Sequence, residues 1–258
     1  MMGRRPSSLA PGYTPQGVAP GRGRDAFLHP GLRAPRPSTA LRGEAGGYGA
    51  ARRRLVERLA AAGVRDRRVL DAFLAVPRHL LVPEALRADA YRDGPIPIGD
   101  GQTISAPSVV AAMTEALELR GGEHVLEVGT GSGYQAAILS RLAARVVSLE
   151  RVGRLAARAR TSLDALGVSN VVVYLGDGTQ GRVADAPYDA IVVTAGGPHV
   201  PRPLLEQLAP GGRLVGPFGT REEQALVRVR RKPGGEWVQE ILGRCRFVDL
   251  VGAHGWAG

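Results

Sequence analysis

Apolar positions along the chain change rhythm twice. Residues 1–50 show no periodicity that could bury one face of a helix or strand. From Ala51, Leu55, Val56, Leu59 and Val64 recur at helical spacing, and Val69, Leu70, Phe73 and Leu74 do so after the break at Gly63, which predicts two short helices. Residues 93–101 carry Gly94, Pro95, Pro97, Gly99 and Gly101 and read as a loop. A third helix is predicted to begin near Pro107, with Val109, Val110, Met113, Ala116 and Leu117 along it. The rhythm then changes to short apolar runs at 125–128, 146–149, 171–175, 190–194 and 213–215. Helix-length segments at 134–143, 155–166 and 203–208 lie among them. This succession is that of βαβ units, and strands apolar on both faces predict a parallel sheet covered by helices. Residues 225–231 and 237–242 flank Lys232-Pro233-Gly234-Gly235 and read as a hairpin closing one edge.

Composition narrows this to one large domain with an appendage. Residues 1–50 hold ten Gly and seven Pro, a composition that cannot repay the entropy of ordering, and they are expected to form a disordered tail. Their Arg-rich, acid-poor character keeps a targeting peptide open as the alternative, although proline interrupts any amphipathic helix. The domain is expected over 51–258, with a helical substrate or lid region at 51–120 and a cofactor-binding sheet at 121–258. The net charge of +10 divides into +5 on residues 1–50 and +5 on the other 208 residues. Charge so dispersed, with aromatic residues at 5%, argues against a nucleic-acid partner. No apolar stretch is long enough for a membrane span. The single cysteine, Cys245, excludes an internal disulfide and a cysteine zinc cluster, and the scattered histidines form no ligand set. No metal is expected, and the cytoplasm is the expected location.

Candidate chemistry begins where the first apolar run of the alternating region ends. Glu127-Val128-Gly129-Thr130-Gly131-Ser132-Gly133-Tyr134 is a glycine-rich turn between a strand and a helix. Glycine lets a ligand approach the backbone there and leaves the helix N-terminus open. A dinucleotide fingerprint would place its last glycine where Tyr134 stands. The G-x-G-x-G spacing, with an acid two residues before it, is instead typical of S-adenosylmethionine sites. Glu150, 21 residues after Gly129, closes the second strand, where a carboxylate can accept from both ribose hydroxyls of a nucleoside. Asp177, in Gly176-Asp177-Gly178, is placed to accept from an adenine amino group, or else forms an ordinary Asp-Gly turn. In Gln102-Thr103-Ile104-Ser105-Ala106-Pro107, Ser105 reads equally as the N-cap of the third helix and as a functional hydroxyl. There is no G-x-S-x-G elbow and no triphosphate-binding loop.

Together these residues resemble the protein-L-isoaspartate O-methyltransferase family. The resemblance runs from about Leu55 to Trp256 and is carried by Val76-Pro77-Arg78-His79, by Gly101-Gln102-Thr103-Ile104-Ser105, by the glycine turn, by Gly176-Asp177-Gly178 and by Pro210-Gly211-Gly212-Arg213-Leu214. It implies an α/β fold of the Rossmann-like S-adenosylmethionine-dependent methyltransferase kind. In such a fold a mostly parallel sheet carries helices on both faces and a helical subdomain at the N-terminal end. It further implies methyl transfer from S-adenosyl-L-methionine to the α-carboxylate of L-isoaspartyl residues in damaged proteins and peptides. A monomer is expected, although the sequence itself does not give the oligomeric state. Ser105 is then the expected catalytic residue, and Gln102, Thr103 and Ile104 the substrate loop. Glu127, Gly129, Gly131, Gly133, Glu150, Asp177 and Gly178 are the expected cofactor residues. Asp249 stands where the family usually has proline, which leaves the backbone of that substrate-facing segment open.

Three other functions share parts of this pattern. A methyltransferase for RNA or a small molecule would use the same cofactor turn, and a methyl-acceptor assay separates it. A binding protein that has lost transfer would keep the fold, but retention of Ser105 beside the cofactor positions argues against it. An NAD-dependent dehydrogenase is disfavoured by Tyr134.

Overall fold

A computed structural model of the chain describes residues 47–257. The tail expected over 1–50 lies, for residues 1–46, outside the described residues. The helical region opens earlier than expected: α1 (Tyr48–Ala61) begins three residues before Ala51 and buries Leu55 and Leu59 one turn apart. α2 (Arg67–Ala75) starts at Asp66, whose carboxylate accepts from the Arg68 amide at 2.9 Å and caps the helix. Its buried stripe is Val69, Ala72 and Phe73. α3 (Pro107–Ala116) begins where its proline indicated. Between α2 and α3, residues 93–101 are not wholly loop. β1 (Ile96–Gly99) and β2 (Gln102–Ile104) form a two-stranded antiparallel hairpin, with Gly99, Asp100 and Gly101 at positive φ in its turn. The punctuating Pro and Gly hid strands this short.

The main sheet is built from β3 (His124–Val128), β4 (Arg145–Glu150), β5 (Val171–Leu175), β6 (Tyr188–Val193), β7 (Leu208–Gly219), β8 (Gln224–Arg231) and β9 (Trp237–Cys245). Their order is β5-β4-β3-β6-β7-β8-β9; the first five strands are parallel, and the β8–β9 hairpin adds antiparallel pairs at the β7 edge. Alternate residues face opposite ways along each strand. Val125, Val146 and Val192 therefore join a core with α1 to α3, α4 (Tyr134–Leu139) and α5 (Gly153–Ala165). Leu126, Val128, Val147 and Val193 join a second core with Leu204 of α6 (Arg202–Glu206). Both faces are thus covered, one by five helices and the other by α6 and the C-terminal segment. α4 stops at Leu139 rather than 143, with turns following. β7 is much longer than 213–215, because it begins at Leu208 and pairs with β6 through a register shift. Among the described residues no helix is long and apolar enough to cross a membrane.

Candidate active site

Strand order reverses at β3, which leads outward to β4 on one side and has β6 on the other. In open α/β sheets this switch point leaves a crevice beyond the carboxyl ends of the strands. Here the crevice is a cleft of about 890 Å³ including its mouth. Its floor is the turn after β3. The Gly129 amide donates to the Leu149 carbonyl at 2.8 Å, and the Thr194 hydroxyl donates to the Val128 and Gly129 carbonyls. Gly129 has φ +97°, and a Cβ on it would collide with that hydroxyl, so the turn admits only glycine. Glu150 lies beside it, nearly buried. One carboxylate oxygen accepts from the Gly131 amide at 2.8 Å and the other from the Val152 amide at 2.9 Å. Each oxygen keeps a further acceptor position, and the pair is held rigidly toward the cleft.

The opposite wall is the β1–β2 hairpin and the loop after it; Gln102, Thr103, Ile104 and Ser105 all line the cleft. Arg158 of α5 donates to the Ile98 carbonyl and holds the hairpin down. The capping role considered for Ser105 does not occur. The N-cap of α3 is Ala106, whose methyl cannot accept a hydrogen bond, and the Asp93 carboxylate accepts from the Ser108 amide at 2.9 Å instead. Among the described residues the Ser105 hydroxyl has no hydrogen-bond partner. Its carbonyl accepts from Arg78 Nη2 at 2.8 Å, and Arg78 Nε donates to the Ala90 carbonyl at 2.7 Å. The Arg78 guanidinium also lies over the Tyr134 ring, 4.7 Å from its centroid.

Three expected cofactor residues, Glu127, Gly133 and Asp177, are not among those that line the cleft. Glu127 is fully buried, faces the helical layer rather than the cleft, and accepts from the Ser148 hydroxyl. That hydroxyl lies 2.5 Å from Thr130 Oγ1, so Glu127 braces the glycine turn from behind. Burial pushes its carboxyl up to about 8, with the nearby Glu150 charge adding to the rise and the Ser148 bond opposing it. Gly133, at φ +86°, packs against Ala159 and Leu163 of α5. The Asp177 carboxylate accepts instead from Thr179, Gln180 and the Ala253 amide. Burial alone would raise its pKa, but these bonds outweigh it and hold it low. Gly178 does line the cleft, and a Cβ there would strike Val128.

The last wall is residues 247–251. Gly196 donates to the Val248 carbonyl at 2.7 Å and accepts from the Leu250 amide at 2.8 Å, so the segment joins the sheet as a short parallel addition. Asp249 lies between those two bonds, and its own amide takes no part in them. Its side chain pairs with Arg221 at 2.8 Å, and Arg221 sits over the Trp256 ring. Buried Gln224 clamps the segment by bonding both the amide and the carbonyl of Phe247. A lone glutamine at the start of a strand gives no signal of this in sequence.

The sequence profile described as protein-L-isoaspartate(D-aspartate) O-methyltransferase matches residues 50–255. The chain belongs to this family. A protein-L-isoaspartate O-methyltransferase of Geobacter metallireducens is 56% identical over 207 residues, covering 80% of this chain and 96% of that relative. A protein-L-isoaspartate O-methyltransferase 2 of Geotalea uraniireducens is 55% identical over 209 residues, covering 81% and 96%. Among solved structures, one named protein-L-isoaspartate O-methyltransferase superposes with a TM-score of 0.71 at 32% identity, covering 79% of this chain and 67% of that one. A Plasmodium falciparum structure described as the same kind of enzyme, in complex with S-adenosyl-L-homocysteine, superposes at 0.67 with 26% identity, covering 78% and 98%. The shared architecture is the methyltransferase sheet with its helical N-terminal part.

Proposed function

We propose that the protein is a repair methyltransferase that esterifies the α-carboxylate of L-isoaspartyl residues in damaged proteins and peptides, with S-adenosyl-L-methionine as methyl donor. The observation that carries this reading is one cleft bounded on one side by the Gly129 turn and the fixed Glu150 carboxylate, and on the other by the unpartnered Ser105 hydroxyl. The family membership and the names of its relatives support the same substrate.

The donor fits the residues present. Glu150 retains acceptor capacity on both oxygens for a pair of ribose hydroxyls, and Gly129 and Gly131, which line the cleft without side chains, suit close approach of an aminoacyl group. When bound, S-adenosylmethionine supplies an electrophilic methyl on a sulfonium centre, and the products are a methyl ester and S-adenosylhomocysteine. An acceptor carboxylate with an ordinary pKa near 4 is already ionised at neutral pH, so no side chain need remove a proton. Orientation is what the protein must contribute. Ser105 Oγ donates a hydrogen bond that orients the acceptor carboxylate, and Gln102 to Ile104 shape the loop around it. The β1–β2 hairpin and residues 247–251 wall the cleft on two sides and limit the access of water to the reacting atoms. We extend the proposal to a cytoplasmic monomer, in keeping with a single cysteine that can form no internal disulfide.

The deciding experiment compares transfer of labelled methyl from S-adenosylmethionine to two matched peptides, one with L-isoaspartate and one with L-aspartate at the same site. Base-labile label on the isoaspartyl peptide alone is the expected result. Equal labelling of both, or of neither while the donor binds, would overturn the substrate assignment.

A further inference from the structure

The Val-Pro-Arg-His segment meets the site through one residue, and that arginine is among the most buried side chains of the molecule. Arg78 is 0% exposed, and no carboxylate forms an ion pair with it among the described residues. The Asp93 carboxylate acts on it electrostatically without an ion pair; a buried cation so incompletely compensated is costly, and an apolar side chain of similar volume would commonly serve stability as well or better. Packing alone therefore does not account for a guanidinium here. Its bonds do: Nε goes to the Ala90 carbonyl, Nη2 to the Ser105 carbonyl, and the plane rests on the ring of Tyr134. Tyr134 follows the glycine turn directly, is itself buried, and lines the cleft. One rigid, planar group thus touches the loop that presents Ser105 and the first residue of the helix that leaves the donor turn.

We propose that Arg78 is a positioning residue for methyl transfer, fixing the Ser105 loop in register with the glycine turn that receives the donor. The inference rests on the role given to Ser105 above. A bidentate fork is needed for it: an ammonium on a flexible stem supplies the charge but cannot hold two carbonyls at a set separation. The α3 side of the loop has its own bond, Asp93 on the Ser108 amide, so release of Arg78 frees the Ser105 peptide without unwinding the helix.

The test is a double-mutant cycle between Arg78→Lys and Ser105→Ala. It reads kcat on an isoaspartyl peptide and, separately, the Kd of S-adenosylhomocysteine. Misplacement by about an ångström costs about 10²-fold in rate, so Arg78→Lys should lower kcat by between about tenfold and that figure. The Kd should stay within about twofold. In the Ser105→Ala background the same substitution should change kcat by less than about twofold, because there is no hydroxyl left to position. Multiplying losses, a retained kcat, or a Kd that worsens in step with kcat would each overturn the proposal. An unaltered rate in Ser105→Ala alone would instead sink the Ser105 reading, and the Arg78 role with it. If the lysine variant does not fold, Arg78→Gln carries the same cycle with the same expected outcomes.

Discussion

Three side chains in and behind the cleft separate by the kind of measurement each should move. Ser105→Ala should lower kcat by about 10²-fold, as expected for one oriented donor worth roughly 2.7 kcal/mol, while leaving S-adenosylhomocysteine affinity in place. Steady-state kinetics beside calorimetry would show this, and an unchanged kcat would leave the hydroxyl without a role. Glu150→Ala should do the converse, raising the donor Kd with a smaller effect on turnover at saturation; normal affinity would refute the ribose assignment. Glu127 should act on stability through pH. Its folded pKa, about 8, lies above the ordinary 4.5, so the folded state keeps a proton that the unfolded state gives up. The stability it contributes is therefore fully present below about 4.5 and is lost as pH rises toward about 8, by up to about 1.4 kcal/mol per unit. The melting temperature of Glu127→Gln relative to the natural chain should accordingly climb between pH 5.5 and 8.5, whereas a flat difference would mean an ionised Glu127. Glu127 also marks where reading from sequence stops. Motif spacing locates the turn, and Gly129, Glu150 and Ser105 follow from it. The direction of each side chain is set by strand alternation and by distant partners: Glu127 shares a face with Val125, and Asp177 is captured by the Ala253 amide, which no local spacing reveals.

At the level of elements, long periodic segments were legible and short or punctuated ones were not. α2, α3, α5 and the central strands agree with the apolar rhythm to within a few residues. The β1–β2 hairpin was lost among prolines and glycines, and the start of β7 was hidden by Pro210-Gly211-Gly212, which reads as a break but pairs through a bulged register. The start of α1 was placed too late for a similar reason, since Gly46, Gly47 and Gly49 surround Tyr48. That residue has a clear task. Its ring stacks on His79 at 4.1 Å, and His79 Nδ1 lies 2.8 Å from the Tyr91 hydroxyl. A chain shortened to begin at Gly47 should keep the melting temperature and activity of the full chain. One shortened to Ala51 loses this stack and the first turn of α1, and should melt several degrees lower, since a loss of about 1 kcal/mol shifts a domain of this size by about 2–4 °C. Equal melting of the two would show the stack to be dispensable.

For the whole molecule, the cleft is an assembly of distant segments: the hairpin near residue 100, the turn near 130, the end of β4, and the strand addition near 250. The α/β class could be inferred because βαβ alternation leaves one economical arrangement, a parallel sheet with its crevice at the switch point. The closing wall could not, because it depends on Gly196 bonding a segment more than fifty residues away. That attachment has a bearing on how the protein can vary. Gly196 grips the carbonyl of 248 and the amide of 250 and passes over 249, and Gln224 holds Phe247, so the bonds that fix the backbone of this wall do not come from the side chain at 249, which is free to be exchanged. An acidic residue paired with an arginine stands there in this chain; another residue would leave the backbone bonds as they are. The rim of the cleft is in this sense a replaceable part, where charge toward incoming polypeptides can be retuned by single substitutions while the reacting centre beneath stays as built.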